Sequence, residues 1–156
     1  MRQLAAEALG DIGLKQAVPA LLDLVASDLS GARPEAIEAL GKIGDAVAIA
    51  PILAAMKSGS VAVRKRSVAA LARFRDARAV DALVASLTDR DEEVRQSAAA
   101  GLAEIGDARV IAPLERIADS DPSSDVRDAA VQAVQRIRAQ SRAPRDKAPE
   151  TKPPRQ

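Results

Sequence analysis

Apolar residues recur at helical spacing along most of the chain, and the recurrence itself repeats. The strings ALGDIG (8–13), ALGKIG (39–44), ALARFR (70–75) and GLAEIG (101–106) set Leu9, Leu40, Leu71 and Leu102 31 residues apart each time. A fifth copy, AVQRIR (133–138), puts Val134 32 residues after Leu102. The extra residue falls in the loop DSDPSSD, where an insertion costs least. Each period holds two amphipathic stretches. In the fourth copy Val94, Ala98, Leu102 and Ile105 follow a 4, 4, 3 spacing, which is one stripe of a helix. The same columns hold Ala32, Ala36, Leu40 and Ile43, then Val63, Ser67, Leu71 and Phe74. Gly13, Gly44 and Gly106 follow the last apolar residue and read as left-handed caps.

The second stretch, such as AVPALLDLVAS (17–27), has the columns Val18/Ile49/Val80/Ile111 and Leu21/Ile52/Leu83/Leu114. Pro19, Pro51 and Pro113 lie in its first turn, where a missing N–H does no harm. Short loops make such helices antiparallel pairs. Neither helix buries its stripe alone, so neighbouring pairs must stack on it. The pattern predicts an all-α chain, an α-α superhelix of about four and a half helix pairs over residues 1–139, followed by a disordered tail rich in proline and charge over 140–156.

Composition agrees with a regular, extended architecture. Hydrophobic residues make up 47% of the chain, yet Phe74 is the one aromatic, so no large anchors organise a compact globule. The 23 basic and 22 acidic residues nearly cancel, which argues against general nucleic-acid binding. With no cysteine and no histidine, thiol chemistry, the commonest metal ligand and the usual general base near neutral pH are all missing. No nucleophile–base pair or phosphate loop is present, and Gly10 and Gly41 read as close-packing sites within helices. Catalytic residues, a cofactor and a metal are not expected. No apolar run approaches the roughly 20 residues that span a membrane, and residues 1–15 lack a signal-peptide core. A soluble, cytoplasmic protein is the expectation.

The pattern VRxxAAxxLxxIGDxxxIxPL, running from residue 1 to about 139, resembles the short HEAT-like repeats of the phycobilin-lyase type found in many bacterial and archaeal proteins. The resemblance implies a right-handed HEAT-like solenoid with the VR-containing helices on the concave side. Its members include scaffolds, chromophore lyases and a few enzymes. HEAT-like metal hydroxylases use His-Glu pairs as iron ligands, and a chain without histidine does not provide them. HEAT-like DNA glycosylases use aromatic and acidic residues in a basic concave groove, a row not seen here. The function most consistent with the chain is a protein-interaction scaffold or adaptor binding a protein partner on its concave face. The alternatives are a phycobilin-lyase-like or other lyase- or chaperone-associated role and, behind it, DNA binding. A monomer, or a part of a larger chain, is expected.

Two sets of residues stand out. Arg2, Arg33, Arg64, Arg95 and Arg127 form a column in the first turn of the inner helices, where the helix dipole disfavours a cation. Asp28, Asp89, Asp91, Asp121 and Asp125 precede three of these arginines, while the loop KSGSVAV before Arg64 has no acid. The column reads as an Arg–Asp ladder between repeats, or else as a row of anion-binding arginines. The third repeat departs from its siblings: Phe74 replaces Ile and Arg75 replaces the capping Gly. From Arg64 to Arg78 the residues Arg64, Lys65, Arg66, Arg73, Arg75 and Arg78 meet only Asp76, six minus one or +5, on a chain of net charge +1. Lys65, Arg66, Arg73, Arg75 and Arg78 are therefore candidates for docking an acidic partner, against a chance cluster neutralised by its neighbours. An Arg in a left-handed cap costs roughly 1 kcal/mol relative to Gly, so a differently built turn is expected there. The ends also differ. Residues 1–13 are an inner helix without its outer partner, and Met1 occupies the column of Val63, Val94 and Val126, so the natural protein is expected to continue upstream.

Overall fold

The computed structural model describes residues 2–27 and 31–142. The described residues form a single helix, α1 (Arg2–Ile12), followed by four antiparallel pairs. These are α2 (Val18–Ala26) with α3 (Arg33–Ile43), α4 (Ile49–Ala55) with α5 (Val61–Phe74), α6 (Ala77–Ser86) with α7 (Glu92–Ile105), and α8 (Ile111–Ser120) with α9 (Ser124–Arg142). The proposed tail lies outside the described residues apart from 140–142, which are the last turn of α9 rather than tail. Met1 and Asp28 are also outside, as is the side chain of Arg2.

The apolar columns become the core. Leu21, Ile52, Leu83 and Leu114 of the outer helices and Leu40, Leu71 and Leu102 of the inner helices have no solvent exposure. Ala36, Ser67, Ala98 and Ala130 fill the column between them, also fully buried. The Ser67 hydroxyl is satisfied by donating to the Val63 carbonyl at 2.8 Å. The odd-numbered helices pack on one another along the whole length, whereas α2, α4 and α6 touch successive outer helices more sparsely. The inner helices therefore form the more closely packed layer of the solenoid.

That close packing rests on one glycine at each of three contacts. A Cβ on Gly10 would lie 2.7 Å from Ala39 Cα, and one on Gly41 would lie 2.8 Å from Ala70 Cβ. At the next contact the small residue changes sides. Ala72 stands in the Gly10/Gly41 column and Gly101 faces it from the Ala39/Ala70 column, where a Cβ on Gly101 would lie 2.9 Å from Ala72 Cβ. At these three contacts one methyl fits between the helices, and two do not.

The turns that follow the inner helices are regular. Gly44 and Gly106 cap α3 and α7 in the left-handed region (φ 74° and 75°). Asp45 and Asp107 then each accept a backbone N–H at the head of a single 3-10 turn, and Asp76 does the same for α6 directly. The turn at Arg75 keeps the left-handed cap but is otherwise built differently, as expected. No 3-10 turn follows it, and its N–H reaches back three residues where those of Gly44 and Gly106 reach back four. Arg75 takes the left-handed conformation itself (φ 50°) and donates its N–H to the Ala72 carbonyl. The left-handed cap is thus kept without glycine, and the backbone strain is tolerated.

Candidate binding surface

The arginine column lies along the edge where inner helices begin. Arg64 is buried and grips the Asp89 carboxylate with two hydrogen bonds of 2.8 Å. Its remaining guanidinium nitrogen donates to the Ser58 and Gly59 carbonyls, each at 3.1 Å. Arg95 repeats the arrangement one pair later. It binds Asp121 at 2.7 and 3.0 Å and donates to the Asp89 carbonyl at 2.9 Å. Each aspartate therefore serves two arginines, its carboxylate taken from the preceding repeat and its carbonyl from its own. The same carboxylates accept the N–H of Asp91 and of Ser123, both at 2.9 Å, which fixes the loop. These bonds, first of all those from the arginines, hold the Asp89 and Asp121 carboxyls below the usual carboxylate range.

The ladder is narrower than the run of nearby acids suggests. Asp91 caps α7 through the N–H groups of Glu93 and Val94 and does not pair with an arginine. Asp125 makes no ion pair with a described residue, and Arg127 donates to the Asp121 and Pro122 carbonyls instead. Arg33 is half-buried. The ladder carboxylates occupy the column Ser27, Ser58, Asp89, Asp121, so the first two loops carry serine where the last two carry aspartate.

The basic third repeat is largely neutralised by its neighbours. Arg64 is taken by Asp89, Lys65 pairs with Glu93, Arg66 pairs with Glu38, and Arg78 pairs with Asp76 at 2.7 Å. The Arg78 side chain and N–H together lower the Asp76 carboxyl to about 2. Arg73 and Arg75 are exposed and form no ion pair with a described residue. Nor do the five candidates share one surface. Lys65, Arg66 and Arg73 line grooves on the inner face, whereas Arg75 and Arg78 sit at the α5–α6 turn.

Those grooves adjoin one another. The largest, about 540 Å³, has Val61, Ala62, Ala69 and Ser97 as its floor and Lys65, Arg66 and Glu93 around it. A small groove of about 40 Å³ continues past Arg66 and Ala69 to Glu38 and Arg73. A third of about 140 Å³, with Glu7, Glu35, Glu38 and Lys42, prolongs it over α1 and α3. The inner face is thus acidic at one end and basic over α5. Ala69 leaves it open where a longer side chain, such as Glu38 in the same column, would stand up.

A family model for HEAT repeats matches residues 1–67 and 49–135, which is most of the chain. The chain belongs to the HEAT-repeat family. No curated protein sequence gives a significant match. Among solved structures, human deoxyhypusine hydroxylase is 30% identical with a TM-score of 0.71, over 86% of this HEAT chain. The match takes in 48% of the hydroxylase, so this chain spans about half the length of that protein. The complex of CpcE and CpcF of phycocyanin lyase from Nostoc matches with a TM-score of 0.73 at 23% identity, over 83% of this chain and 86% of that one. An engineered protein matches at 26% identity and a TM-score of 0.65, covering 86% of this chain and 72% of its own. The HEAT chain has no histidine. None of its described helices is long and apolar enough to cross a membrane.

Proposed function

We propose that the chain is a protein-interaction scaffold that binds a partner protein along its inner-helix face. The observation that carries this reading is the groove over α5 and α7, with its apolar floor of Val61, Ala62 and Ala69 beside Lys65 and Arg66. The two cations are about half exposed, and so is Glu93. Such surface ion pairs contribute only about 0–1 kcal/mol, so carboxylates of a partner replace Glu93 and Glu38 at little cost. Arg73, on the same face and without an ion pair to a described residue, adds a cation for an acidic segment to meet. With no aromatic on this face, binding rests on charge and shape rather than on a few large anchors.

The test compares proteins captured from the native cell by the wild-type chain with those captured by Lys65→Glu/Arg66→Glu/Arg73→Glu. Proteins lost with this variant, but kept by one reversed at Asp23 of α2 and at Lys57 in the turn after α4, support the reading. Equal capture by both contradicts it.

A second reading, a phycobilin-lyase-like subunit, is favoured by the match over 86% of the lyase chain. It predicts a shift in bilin absorbance on adding the chain. DNA binding, the third reading, predicts a salt-dependent mobility shift.

A further inference from the structure

The inner helices show which surface a HEAT pair rests on, and α1 carries a copy of that surface without a cover. Ala5, Ala8, Leu9 and Ile12 of α1 occupy the columns of Ala36, Ala39, Leu40 and Ile43 of α3, and the residues are identical at all four. In α3, Ala36, Ala39 and Leu40 are at most 1% exposed, because α1 and α2 pack against that helix. In α1, Ala5 and Ala8 are exposed and Ile12 is 72% exposed. Leu4, 67% exposed, enlarges the apolar area. No other described inner helix leaves these columns so open.

We propose that this face of α1 is a docking surface for one further HEAT-type helix pair. Its inner helix would carry Gly in the Gly10 column, to pass over Ala8 as Gly10 passes over Ala39. Its outer helix would carry a stripe like Val18, Leu21 and Val25. The interface continues the one already formed between α1–α2 and α3, and uses the same side chains. The far end of a second copy of this chain does not qualify. Where Gly10, Gly41, Ala72 and Ala103 keep their column small, α9 carries Gln135, and its Arg138 reaches across to Glu115 at 2.5 Å. A long amide at the closest approach holds the helices apart. The proposal is independent of binding on the inner face.

A labelled peptide of residues 2–31, the helix pair that covers α3, is titrated into the full chain. Saturable one-to-one binding is expected, weakened at least about tenfold by Ala8→Glu or Ile12→Lys, which place a charge in the contact. Both residues are exposed, so the variants keep their fold. Binding unchanged in them overturns the proposal. Should the peptide alone not fold and not bind, a chain with residues 1–31 duplicated ahead of residue 1 supplies the pair covalently. A raised unfolding midpoint, lost with a Glu at Ala8 of the original copy, supports the proposal, and an unchanged midpoint overturns it. Self-association of the unmodified chain that Ile12→Lys abolishes would also overturn it, since the face would then be covered by a second copy.

Discussion

The two halves of the solenoid share their apolar columns and differ in the polar groups that tie one repeat to the next. From α5 to α9, Arg64 and Arg95 clamp Asp89 and Asp121, and Asp76, Asp91 and Asp107 cap the helices or turns that follow them. From α1 to α4, serine stands at positions 27 and 58 of the ladder column, and Leu14 stands where Asp45, Asp76 and Asp107 cap. The ties there include the Asp45 cap and the surface pair Lys42–Asp11 at 2.6 Å. Leu, Ile, Val and Ala columns are thus enough to specify the stacked helix pairs. The polar ties are an addition that sets how firmly each repeat is coupled to its neighbour, in an architecture whose stability is approximately a sum over repeats and contacts.

The largest effect should come from removing a tie in the firmer half. Asp121→Ala leaves Arg95, only 12% exposed, without its carboxylate and removes the acceptor for the Ser123 N–H. A loss of about 2–3 kcal/mol is expected by denaturant unfolding, at the lower side of values for buried pairs because the site borders solvent. The same ties titrate. Asp89 and Asp121 have carboxyl groups lowered in the folded chain, so their contribution is complete above about pH 5 and is lost as pH falls through and below the ordinary carboxylate pKa of about 4. Between pH 5 and 3 the wild-type unfolding midpoint should fall more steeply than that of Asp89→Asn/Asp121→Asn.

The next effect lies in the looser half. Gly41→Ala puts a methyl 2.8 Å from Ala70 Cβ, and the two helices must separate. Overpacking less the gain in helix propensity gives a loss of about 1–2 kcal/mol. Adding Ala70→Gly should recover much of it, since Ala72 and Gly101 are that swapped pair one contact later. An unfolding series in which the double variant is no better than the single one would contradict the one-methyl account. The smallest effect sharpens the comparison from the other side. Ser58→Asp places a carboxylate in the ladder column, where the Ser58 hydroxyl already accepts the Ser60 N–H at 3.2 Å. It should raise stability by up to about 1 kcal/mol, read as a shift in the urea midpoint at constant m.

The architecture was legible in the sequence because five copies of one pattern act as their own alignment. The apolar columns that the spacing predicts are buried where the structure describes a covered repeat, except that Ile43, Phe74, Ile105 and Ile111 are half-buried at the edge of the core. The polar contacts were less legible because they join residues of different repeats. Lys65 and Arg66 look unopposed when read along their own segment, yet their carboxylates, Glu93 and Glu38, lie 28 residues away on the helices either side. The alignment held part of this information. A column reading Ser, Ser, Asp, Asp marks which rungs of the ladder carry a carboxylate. Gly101 opposite Ala72 marks a contact at which the small residue has changed sides. The conformation of Arg75 was not legible in the same way, because the left-handed cap there goes against the local preference of an arginine.

Native-state hydrogen exchange, read residue by residue at neutral pH, tests the division of the chain most directly. The amides of α7 and α9, on both sides of the Arg95–Asp121 tie, should show the highest protection, with protection falling through α3 to α1. Asp121→Ala should lower protection in α7 to α9 more than in α1 to α3. Equal protection along the whole solenoid, or a highest value in α1 to α3, would contradict the claim that the Arg–Asp ties make the second half the firmer one.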